Sequence, residues 1–390
     1  MKLYIKTLIA SFLVVMACLG FGRFAFGMIL PDMQAFLNIT TTQAGFIGTA
    51  NFTGYLIGIL FTSSLYSKIE TTKLISGSLV LQGLSMLCML LYADYIIVSM
   101  FYTIAGFFGA IANIAIMVYI SHIIPSNIKG KALGVIVSGN GLAIVISGLV
   151  VPYISVEFGN ISWKYAWTFF ALATIAIAFF ARPGLQREYN ATEKTEKNSY
   201  AIFKDVDFWK ITSLYIVFGI TYVVFVTFFV SAAIDKWNVD IYLSGLFWAV
   251  LGVFGIFAGP IFGYIADKFS AYKALILIFV LQTLANTILV LDLPVNTLWL
   301  SVAFFGISVW AIPSLITLLC SQYFGGPRTA FVVSQVTLVF AVGQIIAPVG
   351  AGYIYDRTLD FSYVFLVSAI LTALAVVLSF IYARKELIKL

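Results

Sequence analysis

The sequence predicts an all-α membrane protein: twelve transmembrane helices in two pseudo-symmetric six-helix bundles. Three observations carry that prediction. Of 390 residues, 62% are hydrophobic and 10% charged, with a mean hydropathy of +1.05; a soluble domain carries about 25% charged residues. Twelve apolar runs recur along the chain, each near the ~20 residues that cross a bilayer. A single long polar segment, 182–207, nearly bisects the sequence, giving six helices, a linker and six more helices.

The first six runs cover 7–33, 44–66, 74–92, 95–121, 132–154 and 163–181. The second six cover 209–234, 242–265, 273–291, 296–321, 329–354 and 361–383. The predicted organisation is an N-terminal bundle over 1–181, a cytoplasmic linker over 182–207 and a C-terminal bundle over 208–390. Lys2 and Lys6 precede the first run, which at roughly 25 residues exceeds the core of a cleavable signal peptide. That helix is therefore expected to remain. The linker, rich in Lys and Glu, has the composition of a mobile tether. The 36 Phe and 21 Tyr residues of the chain suit lipid-facing surfaces and interfacial belts.

The net charge of +6 would suggest nucleic acid in a soluble protein; here it reads as loop bias. With the N-terminus inside, only Lys164, Lys236 and Arg357 fall outside, and Arg23 lies in the membrane. The other eighteen of the 22 basic residues are then cytoplasmic. The positive-inside rule thus places both termini in the cytoplasm, in a bacterial or archaeal plasma membrane. Cys18, Cys88 and Cys320 all fall in apolar runs, which leaves no disulfide framework or zinc site.

The two halves repeat. Ser67-Lys68 and Lys73 recur 200 residues later as Asp267-Lys268 and Lys273, and Ser63 falls on Gly263 and Gly45 on Gly245. Gly54 and Gly58 in the second run, with Gly255, Gly259 and Gly263 in the eighth, offer small surfaces for close helix approach.

With twelve spans in two halves and the loop Gly263–Lys273 (GYIADKFSAYK), the chain resembles the major facilitator superfamily. The superfamily motif G-x-x-x-D-(R/K)-x-G-(R/K)-(R/K) is met by Gly263, Asp267 and Lys268, while Ser270 stands where a second glycine is usual. The first-half copy is eroded, with Ser63 for the glycine and Ser67 for the aspartate. Gly343–Asp356 (GQIIAPVGAGYIYD) resembles helix 11 of many members. A narrower likeness, GFGRFAFGMILPDMQ followed by TQAGFIGTANFTGYLIG, is to the YbfB/YjiJ group of bacterial transporters. The resemblance implies that helices 1, 4, 7 and 10 line a central cavity, flanked by 2, 5, 8 and 11. It also implies that the loop after helix 8 lies near the start of helix 5. Asp267 with Lys268, facing Lys129 and Lys131, is accordingly expected to latch the cytoplasmic side.

Arg23 is the chemical focus. A charged side chain at such a depth costs ~2.5–3.5 kcal/mol on insertion scales, so it faces a cavity or a partner. None of the 16 acidic residues falls in the middle of a run. Asp32 lies nine residues on, about half a turn around the helix. Three readings are open for Arg23: a clamp for a carboxylate substrate, a structural tie to backbone carbonyls near Gly20, Gly22 and Gly27, or a stack on Tyr or Trp of another helix that tunes gating. Gly20 and Gly27 are expected to leave open space on its face. Further candidates at membrane depth are Asn51, Tyr55, Asn113, Tyr119, Asn140, Tyr222, Trp248, Trp310, Gln335 and Gln344; each is either an interhelical tie or a ligand contact. His122, the only histidine, reads either as a proton relay or as an interfacial residue.

No phosphate-binding loop, nucleophile triad or metal-ligand cluster is present in this pattern, so no enzyme activity and no cofactor or metal is expected. The expected function is secondary active or facilitative transport of a small organic anion by alternating access, by a monomer surrounded by lipid, with no nucleic-acid partner. The competing reading is export of hydrophobic drugs or metabolites, with the aromatics as the binding surface.

Overall fold

The computed structural model describes residues 4–185 and 200–389, and the centre of the expected linker lies outside them. Twelve helices succeed one another among the described residues. In the first half they are α1 (Ile5–Leu37), α2 (Thr41–Tyr66), α3 (Thr71–Cys88), α4 (Tyr95–Ile123), α5 (Ser126–Phe158) and α6 (Ser162–Phe180). In the second they are α7 (Val206–Trp237), α8 (Ile241–Lys268), α9 (Ala271–Val290), α10 (Leu298–Val309 continued by Ile312–Phe324), α11 (Gly326–Thr358) and α12 (Phe361–Lys389). Each overlaps one expected run. Among the described residues ten stretches qualify as spans by length and hydropathy, because 130–184 joins α5 to α6 in one apolar stretch and α3 is not among them. α3 is short and carries Lys73 and Gln82 among its serines and threonines.

Helix ends are set by local chemistry. Thr40 and Gln43 form a reciprocal capping box at α2, and Asp94 accepts from the Ile96 and Ile97 amides at α4. Each such cap satisfies donors that the helix cannot. Ser270, at the position where the family motif has glycine, accepts from the Lys273 amide and caps α9. α10 is interrupted at Trp310 and Ala311, just before Pro313, whose ring and missing N–H break a helix. Large apolar side chains such as Leu60, Phe180 and Phe380 are exposed, as expected where lipid is the solvent.

Backbone contacts divide the chain into two compact units, Met1–Thr192 with Thr227–Val253, and Glu193–Val226 with Phe254–Leu390. In the first, α2 and α4 approach closely. A Cβ on Gly54 would overlap the Thr103 carbonyl, and one on Gly106 would overlap the Asn51 carbonyl. Trp163, Trp167 and Phe170 of α6 are fully buried. Trp167 meets Tyr102 edge-on at 5.4 Å and Phe170 meets Phe21 at 5.0 Å. In the second unit, Phe225 stacks on Phe305 at 3.7 Å. Gly255 lies against the Trp310 indole, whereas Gly259 and Gly263 have open space beside them. Of the second-half glycines expected to mediate packing, only Gly255 does so among the described residues.

Candidate functional site: the Arg23 seat

Arg23 stands in a π-helical segment of α1, Met16–Phe24, closed by the Ala25 amide on the Gly20 carbonyl five residues back. A π segment inserts one residue into the turn and rotates the remainder of the helix, a device common at functional sites. Arg23 is 9% exposed. Its Nε donates to Asn51 Oδ1 at 3.2 Å. Its guanidinium carbon lies 4.5 Å from the Phe52 ring centroid and 4.1 Å from that of Tyr55.

The amide orientation of Asn51 is fixed by its other partners. Nδ2 donates to the Tyr102 carbonyl at 3.2 Å and the Gly22 carbonyl at 3.5 Å, and carbonyls only accept, so Oδ1 turns to Arg23. One asparagine thereby ties α1, α2 and α4 together. Tyr55 continues the line: its phenol oxygen accepts from Asn113 Nδ2 on α4 at 2.8 Å. The close approach of α2 and α4 at their glycines permits this geometry.

Of the two protein environments open to Arg23, backbone carbonyls and aromatic rings, the structure forms the aromatic one. Gln82, rather than Arg23, binds a nearby main-chain oxygen. Its Nε2 donates to the Cys18 carbonyl at 2.9 Å inside the π segment. Gly22 and Gly109 make room for that amide, which a Cβ on either would strike. The space expected beside Gly20 is filled by Ala143 of α5, because α5 packs directly on the π segment.

The seat is incomplete. Cation–π contacts yield about 0.5–2 kcal/mol each depending on desolvation, and a hydrogen bond to a charged group about 1.5–3. Together these offset much of the ~2.5–3.5 kcal/mol of charge burial. Nη2 nevertheless stays buried with no hydrogen-bond partner, as does Asn113 Oδ1, and no acidic residue pairs with Arg23 among the described residues.

A second cluster forms in the other unit. Gln344 Nε2 donates to the Tyr222 hydroxyl at 2.5 Å. Tyr222 stacks on Phe218 at 4.8 Å and meets Trp310 at 6.3 Å, in the break of α10. Phe340 stacks on Tyr215 at 4.1 Å and extends the slab.

The remaining candidates scatter. Trp248 is fully buried and donates through Nε1 to Ser147 Oγ of α5 at 3.1 Å. Tyr119 is buried on α4, Asn140 is buried on α5 with Oδ1 unpartnered, and Gln335 is half-buried on α11. Asp267, Lys268 and Lys131 are exposed, and Lys268 lies over Tyr264 and Phe269; the side chain of Lys129 lies outside the described residues. His122 Nδ1 pairs with the Val118 carbonyl at 2.8 Å. Asp32 Oδ2 accepts from Ser162 Oγ at the start of α6, away from Arg23. Sequence reasoning missed Phe52 and Gln82. Gln82 was legible as an amide within a span, matched by Gln282 in the 200-residue repeat.

Ten apolar stretches long enough to cross a membrane among the described residues, together with a buried polar seat, define a multi-pass membrane protein. The model of the family described as uncharacterised MFS-type transporter YbfB matches residues 15–380, and the chain belongs to that family. No curated protein matches the sequence. Among solved structures, the chain is similar to a bacterial homologue of the human lysosomal transporter Spinster in an inward-facing, unoccupied conformation. Identity is 12% and TM-score 0.75, over 97% of this chain and 96% of that one. It is also similar to the nucleoside transporter NupG, at 12% identity and TM-score 0.76, over 98% and 99%. The family and both neighbours are transporters rather than enzymes. At these identities the structural likeness speaks for the fold alone.

Proposed function

We propose that this transporter moves a small organic anion, most simply a carboxylate, across a bacterial or archaeal plasma membrane. It does so by alternating access, either driven by a second gradient or facilitative, as a monomer with both termini cytoplasmic. The observation that carries the reading is the Arg23 guanidinium, seated on Phe52 and Tyr55 and held by Asn51, with Nη2 buried and unpaired. A planar guanidinium held by its Nε keeps its remaining N–H groups preorganised for a carboxylate. Tyr222, Trp310 and Gln344 form a second candidate contact surface. Asp267 with Lys268, and Lys129 with Lys131, are assigned to the cytoplasmic latch.

The purified full-length protein in detergent provides the test. A panel of short carboxylates should raise the melting temperature of the wild type and leave Arg23→Gln unmoved. At a ligand concentration of about 100 Kd the stabilisation is about 2.7 kcal/mol. The stacked slab of Tyr215, Phe218, Tyr222 and Phe340 favours a second reading, export of hydrophobic compounds. Under that reading lipophilic cations stabilise wild type and Arg23→Gln alike, and carboxylates do nothing.

A further inference from the structure

We infer that the anion taken at Arg23 carries a hydroxyl on its carbon chain close to the carboxylate; the inference rests on the anion reading above. It comes from the pair Tyr55–Asn113. The Tyr55 ring lies beneath the guanidinium at 4.1 Å and its oxygen accepts from Asn113 Nδ2 at 2.8 Å. The phenol proton is therefore left to donate, while Asn113 Oδ1 is buried and unpartnered among the described residues. Turning the amide over makes the phenol donate to Oδ1 and leaves Nδ2 as the vacant donor and the phenol oxygen as the vacant acceptor. In either orientation the pair presents at least one donor and one acceptor, at the hydroxyl end of the ring that lies against the guanidinium.

The complement of that array is specific. A carboxylate answers Nη2. The adjoining donor and acceptor are answered together by a hydroxyl, which has one O–H and two lone pairs. A methyl ether answers only the donor, and a plain methylene answers neither. A buried polar group left unpaired loses its desolvation free energy, so sites built around a substrate hydroxyl reject the deoxy analogue strongly. Tyr55 and Asn113 are each only half-buried as residues, unlike Asn51, which is consumed by its hydrogen bonds to Arg23, Gly22 and Tyr102.

The test measures thermal stabilisation of the purified full-length protein by butyrate, 2-hydroxybutyrate, 3-hydroxybutyrate and the methyl ethers of both hydroxy acids. The expected result is that one hydroxybutyrate acts at about tenfold lower concentration, or less, than butyrate and its own methyl ether. Asn113→Leu and, separately, Tyr55→Phe should make that hydroxybutyrate and butyrate equivalent while keeping a response to both. Tyr55→Phe retains the ring under Arg23, so it serves if Asn113→Leu does not fold. Equal responses to butyrate and the hydroxybutyrates, all lost in Arg23→Gln, would overturn the hydroxyl inference and leave the anion reading standing. A preference that survives in both variants also overturns it, because another group then reads the hydroxyl. If no carboxylate acts, both readings fall.

Discussion

Gln82 on α3 donates through Nε2 to the carbonyl of Cys18, 2.9 Å away, within the π segment that carries Arg23. The amide is 1% exposed and wedged against Gly22 and Gly109. A carbonyl in a π segment departs from the ordinary ladder, and an interhelical hydrogen bond there fixes the register in which Arg23 points.

Gln82→Met keeps the volume and removes the donor. The expected loss is about 0.6 kcal/mol and at most about 1.7, the mean and the maximum measured for hydrogen bonds between membrane helices. Amide hydrogen exchange should quicken over residues 16–24 and stay unchanged in the outer turns of α1. Uniform exchange across α1 in this variant would show that Gln82 only fills space.

Arg23→Met separates function from stability. A buried guanidinium with an unsatisfied arm costs free energy, and replacing a buried charge together with its demands by an apolar side chain is often neutral or stabilising. The melting temperature should stay near that of the wild type, because relief of the unsatisfied arm is offset by Asn51 Oδ1 losing its donor, while all carboxylate responses disappear. A fall of about 3 kcal/mol or more, typical of breaking a buried polar network, would make Arg23 a structural residue.

Gly54→Ala and Gly259→Ala form a contrasting pair. A Cβ at Gly54 collides with the Thr103 carbonyl, whereas at Gly259 it meets open space. Overpacking of a tight contact costs about 1–3 kcal/mol, so Gly54→Ala should lower the denaturation midpoint and erase the preference for the hydroxybutyrate by parting Tyr55 from Asn113. Gly259→Ala should fall within about 0.5 kcal/mol of wild type. Equal midpoints for the two variants would contradict the close α2–α4 approach.

Asp267→Asn removes the charge assigned to the cytoplasmic latch. Distances measured between spin labels on the cytoplasmic ends of α5 and α8 should shift toward the inward-open population. An unchanged distribution means that Asp267 only orders its loop.

Most of the fold was legible because apolar length is a strong signal: every one of the twelve runs became a helix. Arg23 was legible for the converse reason, a charge where none is tolerated without purpose. Asn51, Tyr55 and Asn113 could be picked by polarity at membrane depth, and glycines on α2 and α4 brought them together. The π segment was not legible, since Gly20-Phe21-Gly22 reads equally well as ordinary small-residue packing. Nor was the occupant beside Gly20, because Ala143 comes from a helix more than 100 residues further along the chain. Gln82 escaped attention because the cavity-lining helices implied by the resemblance exclude α3. Trp248 was open to two readings, an interhelical tie or a ligand contact. The structure gives its N–H to Ser147 of α5, an interhelical tie.

Asn51, Phe52, Tyr55, Tyr102 and Asn113 all belong to the same compact unit as Arg23. The side chains that hold the positive group thus all come from one compact unit. In the proposed cycle an unloaded carrier can reset without dragging a bare cation through hydrocarbon, so empty return is open to it and obligatory exchange is not imposed by this residue.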